Sequence, residues 1–150
     1  MNLPSIRAFI LILPLFAAFI ILDSVHAATT LTVTTTADNS TFTLGDGSCL
    51  LREAILAASG GPSTADCGVN NGAPYTIKFA VSGTITLVSE LTIGRDMTID
   101  GVGQNITVSG NDSVRVFYVN SDVTFNLKNL IVTNGLSESG GGLYNKGTLN

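Results

Sequence analysis

A chain of 150 residues with a net charge of −4, carrying seven Lys and Arg against eleven Asp and Glu, has no basic cluster with which to hold nucleic acid or an anionic membrane surface. Two Cys and one His are too few for a four-thiolate or multi-His metal centre, and the His sits at position 26, within an export signal. Neither a Ser/His/Asp triad nor a His-ligated zinc can then be built from the mature chain, and no cofactor or metal site is expected.

Residues 1–27 read as a secretory signal peptide. Arg7 precedes an apolar run from Ala8 to Leu22, and Val25-His26-Ala27 places small residues where a signal peptidase reads them. A transmembrane anchor is the alternative, but fifteen apolar residues fall short of the roughly 20 that cross a bilayer, and Pro14 interrupts them. Cleavage before Ala28 removes Arg7, Asp23 and His26, keeps the net charge at −4 and leaves no membrane span.

Residues 28–74 read as one strand, one helix and a loop. Thr30-Leu31-Thr32-Val33-Thr34 alternates polar and apolar residues as a half-buried strand does. Asp38-Asn39 and Asp46-Gly47 lack the ligand spacing and terminal Glu of a calcium loop, so they read as turns. Between Gly45 and Ala58 the spacing of Leu51, Ile55 and Ala58 predicts a short helix, capped by Asp46 or Ser48 and stopped by Gly60-Gly61-Pro62. So short a helix is not stable alone in water and must dock, as a lid on a stack of strands. Cys49 and Cys67, in an exported chain, are expected to pair and to tie the helix to the loop from Ser59 to Gly72. A reactive thiol is disfavoured because no His or Lys lies close in sequence to lower its pKa.

From Tyr75 onward, apolar residues recur in pairs separated by one position: Ile77 with Phe79, Ile85 with Leu87, Leu91 with Ile93, Met97 with Ile99, and so on to Leu130 with Val132. Each pair marks the inward face of a short strand. Ile99-Asp100-Gly101, Val108-Ser109-Gly110 and Thr133-Asn134-Gly135 punctuate the series with turns. Such a pattern fits a solenoid, and it fits an antiparallel sandwich equally well. Asn129 and Asn145 are candidates for amide ladders between coils. Residues 75–150 are expected to be the first coils of a solenoid that continues past Asn150, because Thr148-Leu149-Asn150 opens a strand with no polar cap.

The stretch Cys49-Leu50-Leu51-Arg52-Glu53-Ala54-Ile55, with Thr34-Thr35-Thr36-Ala37-Asp38 before it and Ile77-Lys78-Phe79 after it, resembles the CSLREA motif of secreted bacterial proteins. Ser139 to Asn150, containing Gly141-Gly142-Leu143-Tyr144-Asn145, is similar to the repeat of polymorphic outer-membrane proteins. The resemblance implies an all-β fold, a right-handed parallel β-helix, whose capping helix carries the motif residues Cys49, Leu51, Arg52, Glu53, Ala54 and Ile55. Leu50 departs from the family's Ser. That removes half of a capping box and makes Ser48 the substitute cap.

The resemblance implies an extracellular or cell-surface module, adhesin-like or structural, whose partner is a polysaccharide or another cell-surface component. No residue is expected to be catalytic. The alternative, a polysaccharide lyase or hydrolase, would require carboxylates such as Asp96, Asp100, Asp112 and Asp122 to converge with Arg95 or Arg115 on one face. Ice binding through a flat Thr array is a third class, but the triplets Thr32-Val33-Thr34 and Thr84-Ile85-Thr86 do not recur at a fixed interval.

Overall fold

The computed structural model describes residues 27–41, 43–62 and 65–150, so the expected signal peptide lies, but for Ala27, outside the described residues. Eleven short strands and one helix follow in chain order: β1 Thr29–Val33, α1 Leu51–Ala58, β2 Tyr75–Phe79, β3 Gly83–Thr86, β4 Leu91–Ile93, β5 Met97–Asp100, β6 Ile106–Ser109, β7 Phe117–Val119, β8 Thr124–Lys128, β9 Ile131–Thr133, β10 Leu143–Asn145 and β11 Thr148–Leu149. No described helix is long and apolar enough to cross a membrane.

The strands form three sheets in the orders β1-β2-β5-β8-β11, β3-β6-β9 and β4-β7-β10. Every pairing is parallel. From β2 on, consecutive strands never pair; the chain visits the three sheets in turn and returns to each after roughly two dozen residues. An antiparallel sandwich, which joins neighbouring strands by hairpins, is therefore excluded.

Alternation puts one side of the strands into a common core, except at β11, where both residues are exposed. Leu31, Ile77 and Ile99 align across β1, β2 and β5, Ile85 and Val108 across β3 and β6, and Leu91 and Phe117 across β4 and β7. All of these are buried, and Phe117 meets Phe125 at the centre with ring centroids 5.5 Å apart. The expected inward pairs are the buried ones up to Phe125, while Leu127, Leu130 and Val132 pack against the core only partly buried. Ile131, the intervening residue of the last pair, points out and is 62% exposed.

The turns combine two devices. Asn111, Asp112, Asp122, Asn129 and Asn134 take the left-handed conformation, which their short polar side chains tolerate. Gly110 and Gly135 serve instead where two stretches of chain nearly touch: a side chain on Gly110 would run into the backbone of Val114 and Asn134, and one on Gly135 into that of Gly141.

Helix α1 packs on β1, β2 and β4, at one end of the core. It buries Leu51, Ala54, Ile55, Ala57 and Ala58 there, which supplies the tertiary support that eight residues need. The cap differs from expectation. Leu50, in extended conformation, holds the N-cap position. Ser48 is not the cap; its N–H is taken by the Asp46 carboxylate at 2.9 Å. Only the Glu53 half of the box forms, with the Leu50 N–H donating to Glu53 Oε2 at 2.9 Å. The reason is chemical, since a leucine side chain has no acceptor to return.

Candidate functional site

The motif residues of α1 meet at two places. On the inner side, Cys49 and Cys67 form a disulfide between residues 18 apart, which ties the start of the helix to the loop that follows it. Glu53 lies beside it, 2% exposed, with Oε1 lacking any hydrogen-bond partner. Burial holds the Glu53 carboxyl above the usual carboxylate range, against the Leu50 N–H bond that favours its ionised form. Cys49, Glu53 and Cys67 are the one grouping of potential metal ligands among the described residues. With both sulfurs bonded to each other, a single carboxylate remains, too few for a metal centre.

On the outer side, Arg52 grips Asp38 with both ends of its guanidinium, Nε to Oδ1 at 2.9 Å and Nη2 to Oδ2 at 2.7 Å. Its Nη1 also reaches the Glu90 carbonyl at 3.0 Å, and its Nη2 the Ser89 carbonyl at 2.7 Å. Asp38 also accepts the Val88 N–H at 3.0 Å. One ion pair thus fastens the helix, the segment after β1 and the segment before β4 to one another. It is a latch.

The acidic residues weighed for catalysis are committed to separate turns. Asp96 accepts the Thr124 N–H at 2.7 Å. Asp100 accepts from the Asn129 amide at 2.7 Å and from the Val102 N–H at 3.0 Å, and the Asn129 bond leads in holding its carboxyl below the usual range. Asp112 and Asp122 occupy left-handed turn positions, and Arg95 lies against Gly60 beyond the end of α1. Asn129 and Asn145 do not form the expected interior ladders. Both are exposed, Asn129 bonding outward to Asp100 of the adjacent strand and Asn145 to Gly147 of its own turn.

A second cluster assembles on the outer face of the β4-β7-β10 sheet. Register sets Thr92, Tyr118 and Tyr144 side by side on the three strands. Strands about 4.8 Å apart leave in-register Tyr rings little choice but to stack. Their centroids lie 5.5 Å apart with an interplanar angle of 22°. Arg115 stands beside both rings, 5.5 Å from the Tyr118 centroid and 5.0 Å from that of Tyr144. Lys146 also lies beside both, at 5.3 and 5.9 Å. Contact with the Tyr118 hydroxyl raises the Lys146 ammonium above the usual lysine range.

Arg115 makes four hydrogen bonds. It donates to Glu90 Oε2 at 2.7 Å, to the Gly140 carbonyl at 3.1 Å, to Ser137 Oγ at 2.7 Å and to the Ser139 carbonyl at 3.0 Å. It therefore holds residues 137–140 as a wall beside the tyrosines. In the sequence, Arg115 reads only as a partner for catalytic carboxylates, and Tyr118 is not singled out. The signal for the cluster is the recurrence of apolar-Tyr at Phe117-Tyr118 and Leu143-Tyr144, and it becomes informative only once the register is known. No protein-family model, curated protein or solved structure matches this chain.

Proposed function

We propose that this chain is an exported, non-catalytic surface module, a right-handed parallel β-helix capped by a CSLREA-type helix and displayed or secreted by a bacterium in an adhesin-like role. The observation that carries the reading is the circulation of the chain through three parallel sheets in fixed register, with a disulfide-tied helix packed on one end. Stacking of this kind presents outward-facing rows rather than an enclosed cleft. Thr30, Thr76 and Thr98 form such a row on the largest sheet, and Asn126 continues it. The neighbouring row of Thr32, Lys78, Asp100 and Lys128 is charged, which suits polar partners and breaks the flat Thr array that ice binding would use. The disulfide accords with an oxidising compartment outside the cytoplasm. The partner we assign is a polysaccharide or another cell-surface component.

Expression in a bacterial host with intact-mass analysis of the fractions tests the export half. The expected product is a periplasmic, surface or released species beginning at Ala28, with Cys49 and Cys67 linked. Retention of residues 1–27 or free thiols in the exported protein would overturn it. Incubating that product with acidic and neutral polysaccharides tests the other half: it should bind without releasing new reducing or unsaturated ends, and their appearance would establish the enzyme reading instead.

A further inference from the structure

The cluster on the β4-β7-β10 sheet goes further than stacking between strands requires. Tyrosines in register stabilise one another whether or not anything binds them. Neither two cations beside the rings nor a wall held by three hydrogen bonds from Arg115 follows from that role.

Between the wall and the rings lies an open depression of about 450 Å³, lined by Tyr118, Ser137, Glu138, Ser139, Tyr144 and Lys146 beside Arg115. That volume falls in the range of ligand sites, roughly 300–1,000 Å³. Its openness suits a chain lying across the surface rather than a small molecule enclosed within it. The lining offers aromatic carbon, two phenolic hydroxyls, two serines, an exposed carboxylate and an exposed ammonium. Such a mixture pairs the apolar C–H face and the many hydroxyls of a sugar, each of which both donates and accepts.

Charge narrows the class. Arg115 is neutralised by Glu90 at 2.7 Å, Lys146 shares the rim with Glu138, and the chain as a whole carries −4. The site has no surplus positive charge to draw an acidic polymer. A peptide adding as a strand would pair with the backbone edge of β10, the end strand of this sheet, whereas the depression is built from outward side chains on the sheet face. We infer that the depression binds a neutral glycan chain, with Tyr118 and Tyr144 as the apolar platform and Lys146 and Glu138 as hydrogen-bond partners of ring hydroxyls. The inference rests on the surface-module reading and names the ligand class for this one face. The wall is preformed, so little ordering opposes binding.

Affinity electrophoresis of the exported, oxidised protein tests this, in gels carrying soluble mixed-linkage β-glucan, galactomannan or dextran, with polygalacturonate as the acidic comparator. At least one neutral polymer should retard the protein more than polygalacturonate does. The double variant Tyr118→Ala, Tyr144→Ala should weaken that retardation about tenfold or more, equivalent to at least about 1.4 kcal/mol. Lys146→Ala should weaken it by a smaller factor with an unchanged melting temperature, and it decides the matter if the double variant fails to fold. Thr98→Ala, on another sheet, should leave retardation intact. Retardation by polygalacturonate alone, by none of the neutral polymers, or equally in wild type and Lys146→Ala would overturn the inference. Equal retardation would do so while leaving the surface-module reading standing, since the ligand would then sit elsewhere on the chain.

Discussion

Replacing Arg52 with Leu removes one end of the latch while leaving the other in place. The Asp38 side chain is 1% exposed and that of Arg52 16%, so the lost cation strands a carboxylate that water cannot readily reach. Of its hydrogen bonds, only the one from the Val88 N–H at 3.0 Å remains. Breaking a buried ion pair from one side costs about 3–5 kcal/mol. The freed carbonyls of Ser89 and Glu90 add little, because that segment is solvated enough to recruit water. Set against a total stability of about 5–15 kcal/mol, the loss should lower the melting temperature by roughly 10–20 °C. Urea unfolding of the oxidised protein, followed by circular dichroism and extrapolated linearly, measures it. The double variant Arg52→Leu, Asp38→Leu should be more stable than Arg52→Leu by about 2 kcal/mol, since no orphan charge is left. The argument fails if Arg52→Leu costs under about 1 kcal/mol, the level of a solvated surface pair, or if the double variant is no more stable than the single.

Opening the Cys49–Cys67 bridge with reductant, or replacing both residues with Ala, should cost about 3 kcal/mol for a closure of 18 residues, and a urea midpoint indifferent to reductant would contradict this. Gly110→Ala should cost about 1–3 kcal/mol through the clash with the backbone of Val114 and Asn134, read as a lower melting temperature; a variant that melts with wild type would show that the turn can yield. The pH dependence of Glu53 has a definite sign. Because its folded pKa is raised, the folded state holds the proton more tightly than the unfolded state, so stability declines as pH rises from the ordinary value of 4.5 through the folded value. Wild type should therefore lose stability relative to Glu53→Gln across that window, and a pH-independent difference between the two would show that the carboxyl is not displaced.

By itself the sequence determined which residues face inward. Pleating has a period of two, so Ile77 with Phe79 or Leu91 with Ile93 declares a buried face without reference to any partner strand. It likewise determined the helix around Ile55, through apolar spacing and a Gly-Gly-Pro stop, and the pairing of the two cysteines. It did not determine what each strand lies against, because alternation is the same in a hairpin sandwich and in a parallel stack. Thr30 and Thr76 stand 46 residues apart across α1 and its loop, and Thr76 and Thr98 only 22 apart, so the three align in space without recurring at a fixed interval in the chain. Asp38 and Arg52, 14 residues apart, show no helical or strand spacing, and only the packing of α1 on β1 and β4 makes them one ion pair. The tyrosine cluster belongs to the tertiary structure most completely. Tyr118 and Tyr144 stack because Phe117 and Leu143 are in register on neighbouring strands, and Arg115 walls the depression because Glu90 and residues 137–140 converge on it from segments separated by 22 to 25 positions. Register is decided by the sum of many inward contacts over the whole core, and no single segment of the sequence contains that sum.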